Sequence, residues 1–467
     1  MPARRILFLT NSELGQCNVA LAVAEEFLRR GEFAVHIGSF KQLAPLVEDM
    51  NQRLHCGQAA IFHQVPGPSM KDLADRVPCD HISHRPGVRG SVQGYRKVFG
   101  ILQNWRPAEY LEAYRACGLM IEDLRPNIVV IDPIFQPGLD ACRNTTVRVA
   151  IIWPVPLKDV VIGIQPKGAI LCRYPATGSG FPFPVPLSLV LLNIFLIVRA
   201  LLMMATAKPE PDKLQGGKRP SGRSPFPLIQ AYTKNWLNLT PAFEELDFPL
   251  NVPNNVISCG PVLRGHLPLS KADAEIEAWH AKPTILISLG SHAPLSETNA
   301  LQMAKAIQAV LAQQPDLKIL WKLKFAWENS KKFNEILRPS IEKGSVRIVS
   351  WIRADIMSIL DSERVVAFVH HGGANSFFEA CKAGVSQVVL PQWLDTYDCA
   401  TRVEWLGIGV NGSRAAAPDI DAEELSQALC RVLTDENIRS RARAVKTLCK
   451  EEGRVKAHDE ILEFCTQ

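Results

Sequence analysis

Apolar residues in this chain come in short unbroken runs, each followed by a polar or glycine-bearing turn and then by a stretch with apolar positions at helical spacing. The first unit runs from Ile6 to Thr10, passes through the loop NSELGQCN, and continues as VALAVAEEFLRRG, which stops at Gly31. A second apolar run, Phe33 to Ile37, follows. The order strand, helix, strand predicts a parallel sheet with helices on both faces. The same pattern returns at NIVVID (127–132), GLDACR and VRVAIIW (147–153), whereas residues 40–125 show no single period. It starts again at TILISLGS (284–291), the helical stretch Thr298 to Gln314 and KILWKL (318–323). Further strands are expected at VRIVSW, VVAFVH and QVVLP. The expected class is therefore α/β with two domains.

Between the two series, residues 241–264 hold Pro241, Pro249, Pro253 and Pro261 and little periodicity, which marks a linker. The division expected is a first domain over 1–245, a linker over 246–264, a second domain over 265–445, and a C-terminal helix at 446–467 that packs back on the first domain. No repeat of solenoid length is present.

One segment departs from the soluble pattern. Residues 187–207, LSLVLLNIFLIVRALLMMATA, carry Arg199 as their only charge and are long enough to span a bilayer. A span would place the two α/β halves on opposite sides of the membrane and prevent a shared cleft. The preferred expectation is an apolar helix pair that lines a greasy pocket or lies in the membrane interface.

Composition narrows the function classes. The chain has 467 residues, with 52 Lys and Arg against 47 Asp and Glu, and both signs are spread along it. Nucleic-acid binding is not suggested. Its 12 cysteines include no Cys-x-x-Cys pair, which points to a reducing compartment rather than a zinc cage or disulfide framework. The apolar run after MPARR is too short for a signal-peptide core, so a cytoplasmic protein, peripheral on a membrane, is expected.

Candidate chemistry concentrates in VVAFVHHGGANSFFEACKAGVSQVVLPQWLDTYD, residues 365–398. A strand ends in two histidines and two glycines, and a helix opens behind them. Glycine permits close backbone approach, and free amides at a helix start attract an anion such as a diphosphate. His371 can add a hydrogen bond or charge. Glu379 lies one turn beyond Ser376 and can accept from sugar hydroxyls. A plain strand-to-helix turn, with Asn375 or Ser376 as the N-cap, accounts for the same residues without function.

The segment resembles the donor-binding signature of the family one UDP-dependent glycosyltransferases, in His371, Gly373, Ser376, Glu379, Ala380, Gly384, Pro391, Asp395 and Ala400. It departs from that signature at Ser386, where proline is usual, at Thr396, where glutamine is usual, and at Asp398, where asparagine is usual. The wording of HHGGANSFFEA and PQWLDTYD is most similar to fungal members that act on lipids or secondary metabolites. The resemblance implies the GT-B fold, two Rossmann-like domains facing across a cleft, with a UDP-sugar as donor substrate and no cofactor. It further implies that His371, Gly373, Asn375 and Ser376 hold the diphosphate and Glu379 the ribose. Trp351 would stack on the uracil, Ser291 would add a phosphate contact, and Asp395 and Thr396 would face the transferred sugar.

Family members usually carry Gly-His-x-Asn-Pro in the first loop, with the histidine as general base. Here Gly15, Gln16, Cys17, Asn18 and Val19 stand in that place, and the neutral amide of Gln16 cannot take the proton. Asp132, at the end of NIVVID, is the expected substitute, and His36 is the other candidate. An acidic acceptor would arrive already ionised and need little base. The implied reaction is an inverting transfer of the sugar to an oxygen of a hydrophobic small molecule or lipid, with no metal. Peripheral membrane contact would run through 187–207. The alternatives are a catalytically silent nucleotide-sugar-binding protein, or a nucleotide-sugar hydrolase or epimerase.

Overall fold

A computed structural model describes residues 4–54, 57–77, 82–206, 236–290, 295–324 and 330–466. Its frame is two all-parallel sheets. The first contains β1 (Arg5–Leu9), β2 (Ala34–Ser39), β3 (Ile61–Gln64), β4 (Ile128–Ile131), β5 (Arg148–Ile152), β6 (Leu237–Thr240) and β7 (Val256–Ser258). Their order is β3-β2-β1-β4-β5-β6-β7. The second contains β8 (Thr284–Ser288), β9 (Lys318–Lys322), β10 (Val346–Val349), β11 (Val365–His370), β12 (Ser386–Val389) and β13 (Gly409–Asn411), in the order β10-β9-β8-β11-β12-β13.

Central strands are apolar along their buried lengths, ILFL after the exposed Arg5 in β1 and IVVI in β4, because helices cover both of their faces. The helix Leu14–Arg30 buries Val19, Ala20, Val23 and Phe27 on the first sheet. Gly31, at φ +67°, closes it, and its N–H donates to Phe27 O. Phe27 meets Phe33 edge to face at 5.3 Å. The last helix, Gly453–Thr466, places Ala457 and Ile461 in the same core, so the chain ends on the first domain.

Each sheet reverses its winding at one point, between β1 and β4 in the first and between β8 and β11 in the second. The loops that leave the carboxyl ends of these strands cannot follow one another across the sheet. They open a crevice there. The two crevices face each other, which fixes where chemistry takes place.

Two expectations are overturned. The supposed linker 246–264 holds β7, whose Val256 N donates to Pro253 O before the strand pairs with β6, so the first sheet extends through Ser258. Proline-rich flanks hid a three-residue edge strand. The apolar segment 187–207 is one helix, Leu187–Thr206, where a helix pair was expected. It lacks glycine and proline, and the fully buried Asn193 within it accepts from Ala176 N at 2.7 Å and donates to Leu171 O and Tyr174 O. Residues 40–125 contain β3 and the helices Ala44–Leu54, Met70–Asp75, Gly87–Leu102 and Pro107–Leu124.

Candidate active site in the interdomain cleft

A cleft of about 2070 Å³ lies between the two switch points. On the second domain its wall is built by the turn after β11. His370 and His371 are adjacent but do different work. His370 is fully buried, its Nδ1 accepts from Gly372 N at 3.1 Å, and its Nε2 meets Gln387 Oε1 at 3.0 Å. Burial pushes it down to about 4, so it holds the turn as a neutral ring. His371 faces the cleft, with its ring 5.2 Å from that of Trp393. Gly290, at φ +84°, lies against it, and a Cβ there would stand 2.8 Å from His371 Cε1. Only glycine lets the turn after β8 come so close.

Gly373 is the N-cap of the helix Ala374–Ala383, a place expected for Asn375 or Ser376. The helix thus begins two or three residues earlier and turns its first amides toward the cleft beside Ser376. Asn375 is used across the domains, its Nδ2 donating to Leu14 O at 3.1 Å. Glu379 also lines the cleft, where loss of hydration first and then the Asp355 charge push its carboxyl up to about 8 against the pull of Lys322. Trp351 is 60% exposed with Lys322 Nζ 5.2 Å from its ring centroid, which excludes a core role for it. Asp395 lines the same wall, pushed up to about 7 by burial and by Asp159 opposite. Ser291 lies outside the described residues.

Thr396 is not a sugar-facing group. It is buried off the cleft, where its Oγ1 accepts from Gln392 N at 2.9 Å and Trp393 N at 3.0 Å and donates to Trp393 O. A hydroxyl on a short side chain caps the start of the helix Leu394–Leu406, whereas a longer amide would have to extend outward. His36 is also removed from the site. It sits in β2 with Nδ1 2.9 Å from His63 Nε2, away from the cleft-lining residues, and desolvation lowers its pKa.

On the first domain, Gln16 lines the cleft at the position where the base was sought. Asp132 does not line it. Its Oδ1 accepts from Ile134 N at 2.8 Å, and its Oδ2 accepts from Asn11 Nδ2 at 2.9 Å and Asn11 N at 3.3 Å. Burial pushes it up to about 6. Asp132 therefore locks the loop after β1 and presents no free oxygen. Glu13, which sequence reasoning passed over, does line the cleft. Its signal was an acid in the loop leaving the switch-point strand β1, one turn ahead of Gln16.

Another part of the cleft wall is apolar, with Phe99, Leu102, Ile170, Leu171, Ile197 and Leu201. Buried ion pairs bind the two domains beside it: Lys158 with Asp398, and Arg402 Nε with Asp247 Oδ1 at 2.9 Å. The chain contains one Asp-x-Asp triplet, Asp419-Ile420-Asp421, and it is divided. Asp421 caps the helix Ala422–Thr434, while Asp419 is on the cleft wall. Among the described residues no group of three His, Cys, Asp or Glu side chains is placed to hold a metal.

Two parallel sheets with facing switch points define a GT-B glycosyltransferase fold. A UDP-glucosyltransferase from Polygonum tinctorium, solved with 3,4-dichloroaniline, superposes over 100% of this chain and 99% of its own with a TM-score of 0.66 at 14% identity. Residues 222–456 match the family described as UDP-glucoronosyl and UDP-glucosyl transferase, and the chain belongs to that family of UDP-sugar-dependent transferases. Glycosyltransferase sdnJ of Sordaria araneosa is 33% identical over 93% of this chain and 91% of its own length. A 2-hydroxyacylsphingosine 1-beta-galactosyltransferase of Homo sapiens is 27% identical over 44% of this chain and 35% of its own.

Proposed function

We propose that this transferase moves a sugar from UDP to an oxygen of a hydrophobic acceptor, with inversion at the anomeric carbon. The observation that carries the reading is the two-sided cleft. One wall has an exposed indole, a lysine, a carboxyl and a helix N-terminus, and the other end is apolar and continuous with Ile197 and Leu201. The uracil stacks on Trp351, the ribose hydroxyls meet Glu379, and the diphosphate lies on His371, Ser376 and the amides from Gly373 onward. Asn375 serves the domain contact rather than the phosphates. Asp395 receives hydroxyls of the transferred sugar. As the bond to UDP breaks, the added negative charge grows on the diphosphate, where these donors already point.

The apolar end suits an aglycone with little polar surface. A relative named for a sphingosine derivative and a fungal relative of nearly full length both support a lipid-like or secondary-metabolite acceptor. The outer face of the helix Leu187–Thr206 exposes Leu187, Leu191 and Phe195, and residues 160–206 carry Lys167, Arg173 and Arg199 with no acidic residue. This face rests on an anionic membrane surface, from which an apolar acceptor reaches the cleft.

Product analysis tests the reading. Purified protein is incubated with a panel of UDP-sugars and apolar alcohols, and products are identified by mass and anomeric configuration. Transfer gives UDP plus a glycoside of inverted configuration. UDP plus free sugar would make the protein a hydrolase, and UDP binding without release would make it a silent binder.

A further inference from the structure

The missing histidine leaves the reaction without a proton acceptor at its usual place, and three substitutes fail on geometry. Gln16 is an amide. Asp132 has both oxygens engaged by Asn11 and Ile134 and lies off the cleft. His36 is paired with His63 at 2.9 Å on another part of the sheet.

Glu13 differs from all three. It precedes the helix Leu14–Arg30, and its carbonyl accepts from Gln16 N and Cys17 N, both at 2.9 Å, so its backbone is held by the first helical turn. One carboxyl oxygen, Oε1, accepts from Lys71 N at 2.9 Å. The other, Oε2, is buried and has no hydrogen-bond partner. The residue is only 8% exposed and yet lines the cleft. A buried carboxyl oxygen without a partner is costly, and such a group is retained where a ligand completes it. Asn11, held by Asp132, fixes the loop two residues earlier, so the strand end that usually aims a histidine here aims a carboxylate.

We propose that Glu13 is the general base that activates the acceptor hydroxyl, with Asp132 and Asn11 as positioning residues. The inference rests on the transfer reading above. The acceptor proton passes to Oε2, the acceptor oxygen's electron pair forms the bond to the anomeric carbon, and the pair of the breaking bond leaves on UDP. Asp72, Asp75 and Asp159 also line the cleft from the first domain. Asp72 accepts from Ser69 N and Gln42 Nε2 and Asp75 pairs with Lys71, which leaves Asp159 as the rival base.

The test uses matched acceptors that differ in whether a proton must be removed: dodecanol with dodecanoate, and benzyl alcohol with benzoate, each with UDP-sugars. Glu13→Gln keeps the shape and an oxygen for Lys71 N but cannot take a proton. Transfer to the alcohols should fall by about 10²–10⁴-fold, the usual contribution of a general base, with much less loss on the ionised carboxylates. The Kd for UDP should stay within about twofold, since nothing on the donor wall changes. Glu13→Asp should recover part of the alcohol activity. A merely structural role would lower both acceptor types alike, and that result overturns the proposal. So does a selective loss in Asp159→Asn but not in Glu13→Gln. If wild type transfers to no acceptor with any UDP-sugar, the transfer reading falls first, and the base with it. Thermal melts separate a misfolded Gln variant, and in that case the alcohol-to-carboxylate ratio of Glu13→Asp decides.

Discussion

Asn375 Nδ2 donates to the carbonyl of Leu14 across 3.1 Å, and these residues belong to different domains. The bond joins the helix Ala374–Ala383, whose first residues line the cleft, to the helix that opens behind Glu13. A part-buried neutral hydrogen bond contributes about 0.5–1.5 kcal/mol net, which is small for stability but sufficient to keep two reacting walls in register.

Asn375→Ala should therefore lower kcat by roughly 3–10-fold while the Kd for UDP changes little, since the proposed phosphate contacts are His371, Ser376 and the helix amides. Steady-state kinetics alongside calorimetric UDP titration checks the split. A weakened Kd with unchanged kcat would instead return Asn375 to the phosphate site.

Trp351 has 60% of its surface exposed, so it contributes little to folding. Base stacking on an aromatic ring contributes about 1–3 kcal/mol, so Trp351→Ala should weaken UDP binding by about 5–150-fold with an unchanged melting temperature. Trp351→Phe should fall between the two. Calorimetry and thermal melts read both quantities.

How much of this site is visible in the sequence depends on how local each signal is. The two sheets follow from apolar runs at strand length, and the turn at His370 to Gly373 stands out because histidine and glycine interrupt a buried strand. Edge strands β3 and β7 escaped because Ile61–Gln64 is half polar and Val256–Ser258 is three residues long between prolines. Glu13 escaped because a motif search asks what stands at the histidine position, and the answer, Gln16, is one helical turn away. Thr396 was misplaced for the converse reason: alignment gives the position but not whether the hydroxyl caps its own helix. Asn11 holding Asp132 joins residues 121 apart, and no local pattern announces it.

Glu379 carries a pH signature. Its carboxyl is raised from an ordinary 4.5 to about 8, chiefly by loss of hydration and secondarily by Asp355. The folded protein therefore keeps a proton that the unfolded chain releases at lower pH. In that window the native state binds more protons, so this group's contribution to stability falls as pH rises from about 4.5 to about 8 and is fully unfavourable above it. Glu379→Gln cannot ionise. Its melting temperature relative to wild type should climb as pH rises through that window. With Glu379 as the proposed ribose contact, the same variant should bind UDP about tenfold or more weakly at the alkaline end, where it lacks the charged acceptor. A pH series of melts and titrations measures both, and a difference in melting temperature that does not change with pH would mean that Glu379 is ionised throughout.

The helix Leu187–Thr206 exposes Leu187 at 93%, Leu191 at 79% and Phe195 at 50%, spaced four residues apart on one face. Its opposite side is anchored by Leu196 against Tyr95 and Phe181. Replacing the three exposed side chains with serine should leave the melting temperature unchanged, since folding buries little of them. Each apolar side chain withdrawn from water contributes about 1.5–3 kcal/mol when fully buried, so even partial insertion into a bilayer should make the triple variant at least tenfold weaker on vesicles. Lys167, Arg173 and Arg199 add about 1 kcal/mol each near an anionic surface, and binding to phosphatidylserine vesicles should fall with salt, whereas neutral vesicles should bind weakly throughout. Co-sedimentation measures this. Gel filtration detects the competing outcome, a dimer of the wild type that the substitutions dissolve. Ile197 and Leu201 on the same helix line the cleft, so on the proposed membrane contact an acceptor moving along this helix would not need to cross water. The triple variant should therefore raise KM for a vesicle-borne acceptor and leave KM for a water-soluble one unchanged, a split that general damage to the cleft would not produce.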